Sequence, residues 1–444
     1  MNLAEVFGKQ IASPKNKVCM KEAFIHFVWK YGLFDISNLT TTDGETITII
    51  HRGTHNFNQG ADFQGCKIKI GKNIFIGHVE IHLENNDWYA HGHQFDPNYN
   101  NTILHVIYED TMEQYVLTAD NTSVPILFLK DKISSNILVQ YQTLDLSIND
   151  IHCKNIYALP SAIQFSLFKE RLVAERLMRK AEEIKMILEQ NHFNWELTFY
   201  WFLFASFGLK VNKDIFFQIA KSIPLKILSK HKNQKLQLEA LFFGQANLLK
   251  EPKDAYMEAL QKEYLYLSKL YALTPPKASP LFLRMRPSSF PTLRIAQFVD
   301  LIQHASHLFT TIISCESIGE MSDLLNGQAS LYWNQHYNFG IISQDEHVKS
   351  LGKSTIHAII INTILPFIFL YEAENGGEKA IKFLSEIRAE KNAKIDRLIE
   401  ALHLENANAF DSQALIELYD HYCAVKECLN CAIGFASLKN KSGD

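Results

Sequence analysis

Within GHVEIHLENNDWYAHGHQFD (77–96), His78, Glu80, His82, Asp87, His91, His93 and Asp96 lie close enough in sequence to share one site. Carboxylates and imidazoles are the side chains that hold divalent cations and carry protons near neutral pH. In an extended chain, side chains at i, i+2 and i+4 share a face. Phe75, Gly77, Val79, Ile81 and Leu83 therefore form an apolar face for the core, and the opposite face passes from Ile74 and Ile76 to His78, Glu80 and His82. Asp62, in GADF, joins this polar face if Gly71-Lys72-Asn73 is a three-residue hairpin loop, because Asp62 then stands opposite His82. A two-residue turn would slip the register by one and turn Asp62 away.

With Asp62 in place, Asp62 and Glu80 can hold a hard cation such as Mg or Mn, with the backbone oxygen of Ile81 as a third ligand. Such an ion acidifies water and stabilises charge on a phosphoryl oxygen. His82 would take the proton from that water, or would ligate a softer metal such as Mn or Zn. Asp87, His91, His93 and Asp96 read as surrounding groups or substrate contacts; the other reading is a capped connection with Trp88 and Tyr89 packed on a sheet. His78 reads as a neighbour.

Two further sets of residues could do chemistry. Cys423, Cys428 and Cys431, with His421 close by, have the types of a zinc site, and with a distant fourth cysteine those of an iron–sulfur cluster. The same stretch has helical spacing, in which reduced cysteines serve as small buried residues. Arg284, Arg286 and Arg294 flank a proline-rich loop ahead of a helix that starts at Pro291–Thr292. They suit phosphate contacts, or ties from the loop to acidic neighbours.

The elements that must position these residues fall into two regions. MKEAFIHFVWKYGLF (20–34) has helical spacing; TITIIHRG (46–53), CKIKIGKNIFIGHVEIHL (66–83), TILHVIYE (102–109) and VPILFLK (124–130) read as strands. From Ser161 long amphipathic helices follow. The expected architecture is an α+β or α/β front domain with a mixed sheet over 1–150 and a larger all-α domain over 151–420. The cysteine segment 421–435 is expected within or capping the helical domain. GKST (352–355) lacks the upstream glycine and strand of a phosphate-binding loop and reads as a helix start.

Net charge is −4, but residues 1–150 carry 11 Lys/Arg against 17 Asp/Glu. An acidic excess beside the best candidate site argues against polyanion binding unless a cation or the second domain offsets it. The first residues lack a signal-peptide layout, so the expected location is cytoplasmic and the seven cysteines reduced. The apolar runs 195–209 and 357–373 fall short of a membrane span and read as buried helices, so no membrane partner is expected.

GADF, then a hairpin, then VEIH resembles the PD-(D/E)xK nuclease superfamily, whose pattern is Asp, a hairpin and Glu-x-Lys. The resemblance implies a restriction-endonuclease-like fold, Asp62 and Glu80 as metal ligands and Glu22 as that superfamily's occasional helical glutamate. His82 stands where the lysine belongs. GADF, GHVEIH, DWYAHGHQFDPNYNNTILHV, EALFFGQANLL, RPSSFPTLRIAQ and CAVKECLNCAIG together resemble the bacterial domain of unknown function 2851. The expectations are a metal-dependent phosphodiesterase acting on nucleic acid; a non-catalytic binding or scaffold protein on a decayed nuclease-like fold; or a zinc hydrolase using His78, Glu80, His82, His91 and His93.

Overall fold

The computed structural model describes residues 20–109, 111–304, 307–344, 346–373 and 377–439. They form two compact units, one of residues 20–165 with 421–439, the other of residues 166–420. The cysteine segment therefore belongs with the sheet, not with the helical region where it was expected. Cys19 lies outside the described residues.

In the first unit, helix α1 (Glu22–Tyr31) ends at Gly32, which takes the left-handed conformation. Eight strands follow: β1 (Leu39–Thr40), β2 (Thr46–His51), β3 (Thr54–His55), β4 (Phe63–Ile70), β5 (Asn73–His82), β6 (Thr102–Ile107), β7 (Tyr115–Leu117) and β8 (Ser123–Phe128). Seven of them form one curled mixed sheet in the order β1-β2-β4-β5-β6-β8-β7, and β3 pairs with β4. β4 and β5 are antiparallel; β5, β6 and β8 run parallel. β5 is thus an interior strand, and its second half is buried from Val79 to His82. Its first half, including Ile74, Phe75 and Ile76, is exposed, so the apolar face expected from Phe75 onward starts only at Gly77.

The β4–β5 register differs from the three-residue loop of the sequence reading. Ile70 pairs with Asn73 and Cys66 with Gly77, so the turn is the two residues Gly71 and Lys72. That register alone would carry Asp62 to the core face. A β-bulge between Phe63 and Cys66 restores the phase by inserting one residue, and Phe63 pairs with Val79. Gly65, in the bulge, has φ +69°, a region that costs other L-residues about 1–2 kcal/mol. Asp62 returns to the Glu80 side of the hairpin.

After β5 the chain folds back over the end of that strand. It passes through the short α2 (Asp87–Ala90), Gly92 at φ +76°, and two single helical turns, His93–Phe95 and Pro97–Tyr99. Trp88 is fully buried with Ile107, Val116, Val124 and Ile126, and its indole N–H donates to the Leu117 carbonyl at 3.0 Å. Helix α3 (Ser135–Leu146) and the C-terminal helix Ala432–Lys439 complete the unit.

The second unit is helical, with one small two-stranded sheet, His336–Asn338 with Ile341–Ile342. α4 (Ala162–Gln190) buries Phe168, Leu172, Leu177, Ala181, Ile184 and Leu188 along one stripe. The aromatics of 195–209 lie in α5 (Trp195–Phe207), and Phe204 packs against Phe216, Phe242 and Phe298. Lys353–Tyr371 is long and apolar enough to cross a membrane, and 56% of its apolar window is buried within the structure. Lys353 begins this helix, so GKST is a helix start.

Gly65→Val adds a β-branched side chain at a left-handed position that has no neighbour within 4 Å of a new Cβ. The cost is therefore conformational, about 1–2 kcal/mol, and is read as a lower urea midpoint at unchanged m-value. An unchanged midpoint would show that the bulge does not depend on this glycine.

Candidate metal centre

Three neighbouring strands and the loop after β5 supply the site. The bulge sets Asp62 against β5, and the two acids then lock the hairpin through their own backbones. The Asp62 N–H donates to Glu80 Oε2 at 3.0 Å, and the Ile81 N–H donates to Asp62 Oδ2 at 2.9 Å. It is thus the amide of Ile81 that meets Asp62. From α1, His26 Nε2 lies 3.2 Å from Asp62 Oδ2 and 3.7 Å from Glu22 Oε1, one helical turn back. The helical Glu22, Asp62 and Glu80 thus lie in one neighbourhood, with His26 among them.

On the other side of Glu80 stand imidazoles. Glu80 Oε1 is 3.2 Å from His93 Nε2 and 3.5 Å from His82 Nε2, and His82 Nε2 is 3.2 Å from His91 Nδ1. Among the described residues, His82, His91 and His93 are the one trio whose donor atoms all lie within 4.8 Å of one another. His82 Nδ1 meets His105 Nε2 of β6 at 2.9 Å, and β6 pairs His105 with Glu80. His93 stacks on Tyr99, with ring centroids 3.8 Å apart.

This geometry fits a cation. Ligands roughly 2.0–2.1 Å from a four-coordinate zinc stand about 3.3 Å from one another; the spacings here are 3.2, 3.2 and 3.5 Å. His93 Nε2 is buried without a hydrogen-bond partner, which a lone pair bound to a metal would explain. The His82–His105 contact has the form of the outer hydrogen bond that would fix the tautomer of a ligating imidazole.

Electrostatics point the same way. Burial, then the negative charge of Asp62, holds the Glu80 carboxyl well above the ordinary range. Burial pushes His82 down to about 2, with His105, His93 and His91 adding to the effect, and pushes His105 down to about 3. Imidazoles this weakly basic suit neutral ligation, the second of the two roles the sequence offers His82, better than taking a proton from water. Burial also pulls His26 down, but its contact with Asp62 and the charges of Asp62 and Glu22 outweigh that and raise it. The surroundings of His26 thus favour its protonated form.

Other sequence candidates are elsewhere. Asp87 Oδ2 accepts from the Glu84 N–H and Asp96 Oδ1 from the Asn98 N–H, so both act as local caps. His78 lies beside Asn101, its Nε2 3.5 Å from Asn101 Nδ2, away from the trio. Arg294 is buried and bonded to Gln297 and Thr355, whereas Arg284 and Arg286 are exposed, so the three share no phosphate-binding face. The sequence reading missed His26 and His105. Each had a signal: His26 follows Glu22 by four residues on one helix face, and His105 interrupts the apolar strand TILHVI.

Dialysis against Zn or Mn is expected to load one ion at this centre. His93→Ala and Glu80→Gln should each lower affinity at least about 10-fold, and His105→Ala about 10–100-fold through the lost outer hydrogen bond. Asp87→Asn should leave affinity unchanged. Isothermal titration checks the series, and wild-type affinity in His93→Ala would remove the centre. No curated protein and no solved structure matches this chain. A family model does match, over residues 22–393, and by it the chain belongs to the family described as protein of unknown function, DUF2851.

Proposed function

We propose that this protein is a metal-dependent phosphodiesterase of nuclease type, whose ion is held by Glu80, His82, His91 and His93 beside the acids Asp62 and Glu22. One observation carries the reading: Glu80 stands between a carboxylate wall and an imidazole wall, with oxygens 3.0 Å from the Asp62 amide and 3.2 Å from His93. Further support comes from the order of the parts. A helix bearing Glu22 precedes a hairpin that sets Asp62 beside Glu80, the arrangement of the PD-(D/E)xK pattern. Three imidazoles favour Mn or Zn over Mg.

When bound, the ion supplies Lewis acidity to a phosphoryl oxygen and to an attacking water. The rest falls to the chain. His26, whose protonated form Glu22 and Asp62 favour, is placed to give a proton to a leaving oxygen. It also lines a cavity of about 360 Å³ whose wall includes Lys21, Lys30, Tyr31 and Phe57. Lysines and an exposed aromatic ring in one recess suit a phosphate backbone and an unstacked base, despite the acidic balance of the region.

The imidazole trio also favours a second reading, a zinc hydrolase with a non-nucleic substrate. Its zinc would take three of His82, His91, His93 and Glu80 and leave the fourth position to water, without His78.

The test incubates Mn- or Zn-loaded protein with single- and double-stranded DNA and RNA, beside Glu80→Gln and His26→Asn. Cleavage is expected in the wild type, with a loss of at least about 100-fold in each variant. Metal-loaded, folded protein that cleaves none of these would sink the nuclease reading.

A further inference from the structure

Three of the cysteines left aside above are brought to a fourth by the fold. The chain from Tyr422 to Phe435 doubles back on itself. The Glu427 N–H donates to the Tyr422 carbonyl at 2.8 Å, the Cys431 N–H to the Cys428 carbonyl at 3.3 Å, and the Phe435 N–H to the Cys431 carbonyl at 2.8 Å. The fold is tight enough that a Cβ on Gly434 would lie 2.0 Å from the Cys428 carbonyl oxygen.

This knot and the helix after it are tied to the end of α3 and to the segment that follows it. Lys426 Nζ donates to the carbonyls of Asp145 and Ser147 at 3.2 and 3.3 Å, and the Ala158 N–H donates to Ser437 Oγ at 3.1 Å. Cys153 lies between the tied points on one segment, and Cys428 and Cys431 lie between those on the other. Cys153, Cys423 and Cys431 are buried and Cys428 half-buried, and none of the four forms a disulfide. His421, the fourth ligand suggested by the sequence, is exposed.

We propose that Cys153, Cys423, Cys428 and Cys431 form a four-thiolate site for an iron–sulfur cluster. Four thiols gathered in the interior oppose one another's ionisation. Cys153 lies within electrostatic reach of Cys428 and Cys431, and Cys423 within reach of the other three, so the four thiols share one neighbourhood. A positively charged core among them reverses that penalty, because a coordinating thiol is deprotonated outright. Spacing selects the occupant. Sulfurs around one zinc stand about 3.8 Å apart, from bonds of roughly 2.3 Å. No three of these sulfurs lie within 4.8 Å of one another, which suits the wider cage of a cluster with several irons and sulfides. The inference does not rest on the phosphodiesterase reading.

The experiment purifies the full chain without oxygen, reconstitutes it with ferrous iron and sulfide, and measures iron, acid-labile sulfide, zinc and visible absorption. The wild type is expected to hold iron and sulfide in equal amounts with the absorption of a cluster. Cys153→Ser and Cys428→Ser should lose both, and Cys315→Ser, in the helical unit, should keep them. Circular dichroism checks folding, and the half-buried Cys428 supplies the readout if Cys153→Ser does not fold. One zinc per chain, no bound metal, or an undiminished cluster in folded Cys153→Ser would each overturn the proposal.

Discussion

A carboxylate keeps its charge in a protein interior only if something positive or richly hydrogen-bonded faces it, and Glu80 sets that condition for the whole sheet unit. It is 5% exposed, in the middle of an interior strand. One oxygen takes the Asp62 amide. The groups nearest the other are His93 and His82, and burial leaves both poorly able to accept a proton. The carboxyl must therefore stay protonated or face a cation. The surrounding architecture suits the second outcome: a bulge that returns Asp62 to this side, a loop that folds two histidines over the strand end, and a neighbouring strand that presents His105.

Much of this was legible in the sequence, and the reasons are local. Alternation along 73–83 put Glu80 and His82 on one face because strand periodicity depends only on the strand itself. Apolar spacing located α1, the hairpin, β6 and β8 for the same reason. The Asp62 position came out on the right side through a register that was wrong in detail. Relative to a plain two-residue turn, a three-residue loop and a bulge shift the register by one residue in opposite directions, and either shift turns Asp62 to the Glu80 side. What distinguishes them is the conformation of Gly65, which no side-chain pattern records.

The parts that were not legible depend on pairing across long sequence distances. His105 faces Glu80 only because β5 and β6 are parallel neighbours. Cys153 reaches the Cys428–Cys431 turn through ties between residues roughly 280 positions apart, such as Ala158 to Ser437. Spacing offered two fourth ligands, nearby His421 or an unnamed distant cysteine, and only the returning chain shows which distant segment comes near. Of the two roles the sequence offered His82, base and ligand, the first has a different weakness. It rests on the imidazole's ordinary pKa, which holds only for a solvated ring, and His82 is 1% exposed.

On the proposed reading, the exchange of lysine for His82 in the Glu-x-Lys pattern need not cost activity. A lysine at that position would bring a fixed charge into a pocket already lined by imidazoles, and its burial would work against that charge. A neutral imidazole instead adds a donor to the ion, and the ion restores the positive charge. The proton that a lysine could have carried then has to come from another side chain. His26 is the group whose surroundings raise it, and it comes from the helix rather than the hairpin. The two duties of one lysine, charge and proton, are divided between a bound cation and a helical histidine. That division would require Glu22 and Asp62 to stay where they favour the protonated form of His26, which gives the carboxylate wall a role even though the ion's nitrogen ligands lie on the other side of Glu80.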